Sequence, residues 1–219
     1  SLRQRPRDIP APIHVMFCIA DHFEPLGIGG MENLQAGTER IARWVDELPG
    51  VVKDFEDFDG VNPKHTFFFP TEEYHPDLMG PLAELCRHGY GEVEIHLHHD
   101  NDTAANLHQS LSRFRDLLHG THGLLGCDHH DRPRYAFIHG NWALCNSHPD
   151  KRYCGINGEL RVLRETGSYA DMTMPSGPSP TQCKLINSIY YAFDNPDQPR
   201  SHDVGVRVCV NGDGLQEDN

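Results

Sequence analysis

The chain has 219 residues, 37% of them hydrophobic and 23% charged, which suits one large domain or two small ones, and a single core is the simpler reading. No apolar run approaches the roughly 18–20 residues that a membrane-crossing helix needs, so no membrane is expected as a partner. Nineteen basic against thirty-two acidic side chains give a formal charge of -13, and no Lys/Arg cluster offers the footprint that a phosphate backbone requires, which excludes nucleic acid.

Ile13 to Ala20 is a short apolar run of strand-forming residues that ends in Asp21-His22-Phe23-Glu24-Pro25. A Gly-rich loop follows. Asn33 to Leu48 then places Leu34, Ile41, Trp44, Val45 and Leu48 at spacings near 3.6, an amphipathic helix closed by Pro49-Gly50. Lys64 to Pro70 is a second apolar strand, and Pro76 to His88 a second helix ending at Gly89. Gly91 to His98 and Thr103 to His119 repeat the pattern, with Gly120 as the stop. Arg134 to His139 is a fourth strand, Glu159 to Thr166 a short helix ended by Gly167, and Ala170 to Met174 the strand after it.

Strands alternating with helices predict a parallel sheet with crossover helices, either an open doubly wound sheet or a β/α barrel. Functional residues then belong at the carboxyl ends of the strands. Ile186 to Phe193 and Val204 to Val210 read as two further strands, and Asn211 to Asn219 as a polar tail. The absence of any composition shift predicts one domain over residues 1–219. The Ser at position 1 and the polar ending suggest a piece trimmed from something longer.

Seven cysteines, none in a C-x-x-C pair, signal neither a disulfide framework nor a zinc knuckle. A reduced, cytoplasmic chain is expected unless a signal sequence precedes position 1.

The chemistry-bearing residues are histidines, sixteen in all, against about eleven for even use of twenty residue types. The densest group is Glu94-Ile-His96-Leu-His98-His99-Asp100-Asn-Asp102. Side chains alternate along a strand, so His96 and His98 share one face at its carboxyl end, with Asp100 and Asp102 in the loop beyond. Two imidazoles and a carboxylate suit a divalent metal, zinc foremost, with cobalt, nickel or manganese as alternatives. The plainer reading is a polar strand end whose histidines are solvated or hydrogen-bonded.

Asp21-His22, with Glu24 close behind, can supply a ligand and a general base at the end of the first strand. The alternative there is an Asx turn or a helix cap. His139-Gly-Asn141-Trp142 is a third strand end, with a polar pair and an aromatic able to stack on a sugar ring. His129-His130 and His202-Asp203 read as solvated or isolated pairs. No G-x-S-x-G elbow, P-loop or dinucleotide fingerprint is present.

The order of these pieces resembles the polysaccharide deacetylase superfamily over about residues 12 to 176. The Asp21-His22 pair stands where that family has two adjacent Asp residues. Thr66-Phe67-Phe68 matches its Thr-Phe-Phe strand, and Glu94-Ile95 precedes His98 at the spacing of its metal motif, whose second ligand position falls on Asp102. The family's Arg-Pro-Pro-Tyr motif is missing after the fourth strand, and its late Leu-x-His is not evident.

The resemblance implies an irregular (β/α) barrel and a metal-dependent removal of an N-acetyl group from a carbohydrate or other acylated small molecule. It gives Asp21 as base and His22, His98 and Asp102 as metal ligands, with His96 as an extra candidate. Asp21 as ligand with Glu24 as base is the alternative. His139 or His202 would protonate the leaving amine, and Asn141 and Trp142 would bind substrate. Two other readings compete. One is a barrel that has lost its chemistry and serves as a carbohydrate-binding or scaffold module. The other is a metallo-β-lactamase-like hydrolase, since His96-x-His98-x-Asp100 also resembles that motif, with Asn101 where its next His should be.

Overall fold

The computed structural model describes residues 15–173, 177–211 and 214–217. Five strands, β1 (Ile19–His22), β2 (His65–Pro70), β3 (Gly91–Leu97), β4 (Tyr135–His139) and β5 (Ser168–Asp171), form one parallel sheet in the order β1-β2-β3-β4-β5. Four helices alternate with them: α1 (Leu34–Val52), α2 (Pro76–Arg87), α3 (Ala104–His122) and α4 (Glu159–Thr166). The strand order never reverses, so the sheet lacks the switch point at which doubly wound folds bind their ligands. Among the described residues β1 and β5 do not pair with each other, and the sheet is open. No described helix is long and apolar enough to cross a membrane.

The pairing register decides which side chains share a face. His22 lies opposite Phe68, Phe68 opposite Glu94, and His96 opposite Ile138. Asp21 lies opposite Phe67, and Leu97 opposite His139. One face therefore carries Phe67, Phe69, Val93, Ile95, Leu97, Tyr135 and Phe137, which bury against Ile41, Leu78, Leu82, Leu111, Phe114 and Val162 of the helices in one continuous core. At roughly 1.5–3 kcal/mol for each large side chain removed from water, this layer supplies most of the hydrophobic stabilisation. The opposite face holds a smaller apolar patch, Phe68, Ala136 and Ile138, together with the polar Glu94 and His96, both buried.

Element boundaries differ from the sequence reading for physical reasons. Residues 13 and 14 lie outside the described residues. Val15, Met16 and Phe17 are exposed, and pairing begins only at Ile19, opposite the first residue of β2. Helix α1 runs through Pro49 to Val52. Val52 extends the apolar stripe of Val45 and Leu48 by another turn and is buried, which outweighs the one hydrogen bond that proline removes. Helix α3 passes Gly120 and stops at Gly123, whose φ of 66° is the left-handed cap conformation. The added turn is tied down by Tyr74 Oη, 3.1 Å from His122 Nε2. Strand β5 starts at once after the left-handed Gly167, and Met174 lies outside the described residues.

The apolar run from Ile186 yields only the short β6 (Tyr190–Ala192), because Asn187 turns left-handed at φ 51°. It pairs antiparallel with β7 (Gly205–Asn211), which pairs with β8 (Gly214–Glu217) inside the segment read as a tail. The cysteines whose side chains are described, Cys18, Cys86, Cys127, Cys145, Cys154 and Cys183, are all free.

Candidate metal centre

Among the described residues, two groups of histidine and carboxylate side chains bring three ligand-type atoms within 4.8 Å of one another. Both lie at the carboxyl end of the sheet, on its opposite faces, the first at β1 and β3 and the second at β4, the turn after β3 and the start of α4.

The first group is His22, Glu24 and His96, with His98 attached through Glu24. Its centre is one carboxylate oxygen: Glu24 Oε1 lies 3.3 Å from His96 Nε2, 3.4 Å from His98 Nε2 and 3.9 Å from His22 Nδ1. The backbone carries each residue there. Phe23 N donates to Phe68 O at 2.9 Å, which extends β1 by one residue and turns Glu24 to the face of His22. The loop beyond is pinned where Leu26 N donates to the buried Glu73 at 2.8 Å and Arg40 donates to Pro25 O. Glu72, in the short turn after β2, accepts both the backbone N–H of His98 at 3.1 Å and its ring Nδ1–H at 2.5 Å.

His96 is completely buried; among the described residues its Nδ1 has no hydrogen-bond partner, and its Nε2 has only the 3.3 Å approach of Glu24 Oε1. A buried imidazole in that condition costs free energy unless a ligand completes it. His98 has the form of a metal-binding histidine, with its outer nitrogen held by a carboxylate and its inner nitrogen directed at the centre. Hydrogen bonding to Glu24 and Glu72 pushes the His98 imidazole up to about 10, and the neighbouring His96 and His98 rings hold Glu24 well below the usual carboxylate range. A cation bound here would take the place of the inner proton of His98, with Glu24 ionised beside it.

His22 is different. The indole N–H of Trp142 donates to its Nε2 at 3.1 Å, and since that indole is a donor only, the neutral His22 ring carries its own proton on Nδ1, facing Glu24. Burial, then the nearby His96, lowers the His22 imidazole to about 4 and keeps it neutral. Glu24, His96 and His98 offer a two-His, one-carboxylate set gathered on one oxygen, the donor composition a divalent ion takes. His22 can join through Nδ1 only when Trp142 lets go.

The second group, on the helix side, is His99, His139 and Glu159, with Asp102 attached. His99 sits between two carboxylates, Nδ1 3.0 Å from Asp102 Oδ2 and Nε2 3.0 Å from Glu159 Oε1. With an acceptor on each nitrogen it must donate twice, as an imidazolium. Burial works against that charge, and Glu159 and Asp102 overcome it to raise the imidazole. Glu159 is fully buried at the start of α4, where burial opposes its charge but the His139 and His99 rings and the Cys145 N–H, at 2.8 Å, keep it ionised below the usual range. His139 Nδ1 accepts the backbone N–H groups of Asn141 and Ala143 at 3.2 and 3.4 Å. Its proton is therefore on Nε2, 3.9 Å from Glu159 Oε1. Hydrogen bonds close this group at His99, whose two nitrogens both have carboxylate partners, while His139 Nε2 has no hydrogen-bond partner among the described residues.

The sequence-derived candidates divide between these places. His22, His96 and His98 come together, with Glu24. Asp21 does not join them: it faces the helices, where its Oδ1 is 3.0 Å from His65 Nε2. Asp102 belongs to the second group, as does His139, which is buried and lowered to about 4 by that burial. Asn141 contributes its backbone N–H to His139. Trp142, half-exposed with φ 55°, borders the first group through His22. His202 is brought to neither group and lines a cavity of about 40 Å³ with Trp142, Asp171 and Tyr190. Sequence reasoning missed Glu72, His99 and Glu159. Glu72 had a signal, since it follows directly on the carboxyl end of a predicted strand. Glu159 had none, because an acidic residue opening a helix is ordinarily a solvated one.

No protein-family model, curated protein or solved structure matches the chain.

Proposed function

We propose that the chain is a metal-dependent hydrolase of the deacetylase type, which removes an N-acyl group from a carbohydrate or related substrate at the face of the sheet that carries His22, Glu24, His96 and His98. The observation that carries this reading is the fully buried His96, its Nδ1 unpartnered and its Nε2 directed at a carboxylate oxygen that three imidazoles surround.

The sequential parallel order of β1 to β5, with a single layer of helices, is the arrangement of a β/α barrel wall, and an irregular barrel remains the finer fold assignment. His96, His98 and Glu24 would hold a divalent ion, zinc being the first choice for such donors. When bound, the ion supplies Lewis acidity toward the acyl carbonyl and lowers the pKa of a coordinated water.

The chain's own residues do the rest. Glu72 fixes the ring of His98 and its tautomer. With Asp21 on the other face, the base's role would fall to the second carboxylate oxygen of Glu24, while Oε1 would serve as ligand. Trp142, half-exposed at the rim, offers a flat apolar face to a sugar ring and holds His22 in reserve. A second reading is favoured by one observation: with Asp21 turned away and Glu24 occupied as a ligand, no further carboxylate is left over as base, and a metal-holding carbohydrate-binding module results.

The test is zinc binding by dialysis, followed by acetate release from acetylated amino sugars, for the parent and for His96→Ala. The expected result is about one equivalent of zinc and measurable turnover in the parent. The variant should lose at least about 100-fold in zinc affinity, the upper end of what even an outer-shell partner costs. Zinc without turnover would leave the binding module, and no zinc would overturn the proposal.

A further inference from the structure

We infer that Glu159, acting through His99, is a positioning residue for the metal centre on the other face of the sheet, and that residues 153–159 form a clamp on the turn that carries His98. The inference rests on the metal reading given above and names which residues outside the ligand set determine its geometry.

His98 and His99 are consecutive, yet their rings go to opposite faces, so the backbone between them sets both. That backbone lies beyond the sheet: β3 ends at Leu97, and the last interstrand bond is Gly140 N to Leu97 O at 2.8 Å. Past this point the turn is held on the helix side by one neighbouring segment. Asn101 N donates to Cys154 O at 2.7 Å, Cys154 N donates to Asp100 Oδ1 at 3.1 Å, and His99 is bonded to Glu159.

Two glycines make the fit close. A Cβ on Gly155 would lie 2.0 Å from the His99 ring, and one on Gly140 would lie 2.4 Å from the His98 ring. Neither glycine has a positive φ, so the requirement is for space and not for an unusual backbone. Glu159 anchors the arrangement because it is immobilised at the first position of α4 and bonded to Cys145 N as well as to His99. Adjacent Cα atoms are fixed 3.8 Å apart, so a shift of His99 is passed to His98, whose inner nitrogen must reach the ion within a few tenths of an ångström. Outer-shell partners that orient a ligand in this way typically change metal affinity by about 10–100-fold when removed.

The experiment compares the parent with Glu159→Gln, which keeps the shape and removes the charge, and Glu159→Asp, which keeps the charge and shortens the reach. Far-UV circular dichroism confirms folding, zinc affinity is measured by competition with a chelator, and the visible absorption of the Co²⁺-loaded protein reports ligand geometry. The expected result is a zinc affinity weaker by about 10–100-fold in either variant, with a displaced Co²⁺ band, a change that mere loss of stability does not produce. If Glu159→Gln fails to fold, Glu159→Asp decides. Unchanged affinity and an unchanged band in a folded variant would overturn the clamp while leaving the proposed function standing. A parent that binds no metal would overturn both. Metal lost in Glu159→Gln but kept in His96→Ala would overturn the positioning role by making Glu159 a ligand.

Discussion

The two histidine–carboxylate groups are built from the same residue types at the same end of the same sheet, and they differ in burial and in how closely their hydrogen bonds fit. On the open face, His96 Nδ1 has no partner among the described residues, and the Nε2 atoms of His96 and His98 stand 3.3 and 3.4 Å from one shared oxygen of Glu24. On the helix face, His99 has a carboxylate on each nitrogen and His139 has backbone N–H groups on Nδ1. Proximity of ligand-type atoms is therefore a poor guide to a metal site until the hydrogen bonds are counted. The open group is partly accessible, as a site that must admit water and substrate has to be, whereas the second is sealed against the helices.

The comparison can be broken most forcefully at His99. Replacing it in His99→Leu leaves Asp102 and Glu159 facing an apolar side chain, and loss of one partner from a buried ionic network costs about 3–5 kcal/mol. At about 2–4 °C per kcal/mol for a chain of this size, the melting temperature should fall by on the order of 10 °C. The half-exposed Glu24 should tolerate Glu24→Gln far better, because His98 keeps Glu72. Equal destabilisation in the two variants, read from urea unfolding, would remove the distinction between a sealed network and an open site.

A second contrast concerns buried acids. Glu159 is ionised because imidazoles face it, while the part-buried Asp171 has, among the described residues, Thr173 alone as a hydrogen-bond partner and is raised by desolvation to about 7. Its folded pKa lies above its unfolded value, near 3.9, so the folded state binds the extra proton and stability is lost as pH rises from about 4 through 7. Asp171→Asn should flatten that decline in a series of melting curves. A slope that survives the substitution would place the titrating group elsewhere.

Smaller effects follow at the rim and at the far side. Trp142→Phe removes the bond to His22 Nε2, which is worth about 0.5–1.5 kcal/mol. Zinc should then bind roughly three- to tenfold more tightly, as His22 becomes free to join; unchanged or weaker binding, by titration calorimetry, would mean that His22 is not held in reserve. Asp21→Asn should leave zinc affinity unaltered and cost no more than about 1 kcal/mol, the scale of a part-exposed ion pair. A large loss of zinc on that substitution would return Asp21 to the centre.

Much of the fold was legible because its signals are local. The four helices and five parallel strands follow from apolar periodicity and from glycine stops such as Gly167, and errors arose where an element ran past a breaker, as α1 does through Pro49 to the buried Val52 and α3 through Gly120 to Gly123. The face shared by His96 and His98 was also legible, since alternation along a strand is a property of the backbone. What the sequence did not contain was register. Alternation separates Asp21 from His22, but only the pairing of β1 with β2 shows which of them shares a face with His96, and only the packing of α4 shows that Glu159 is buried. For the same reason Asp102 and His139, sound candidates by residue type, were assigned to the wrong side of the sheet.

The most direct test of the account is the anomalous difference density at the zinc edge from a crystal of the protein soaked in zinc. The account predicts a single internal peak between Glu24, His96 and His98, with no density among His99, His139 and Glu159. A peak in the second group, or none in the first, would contradict it.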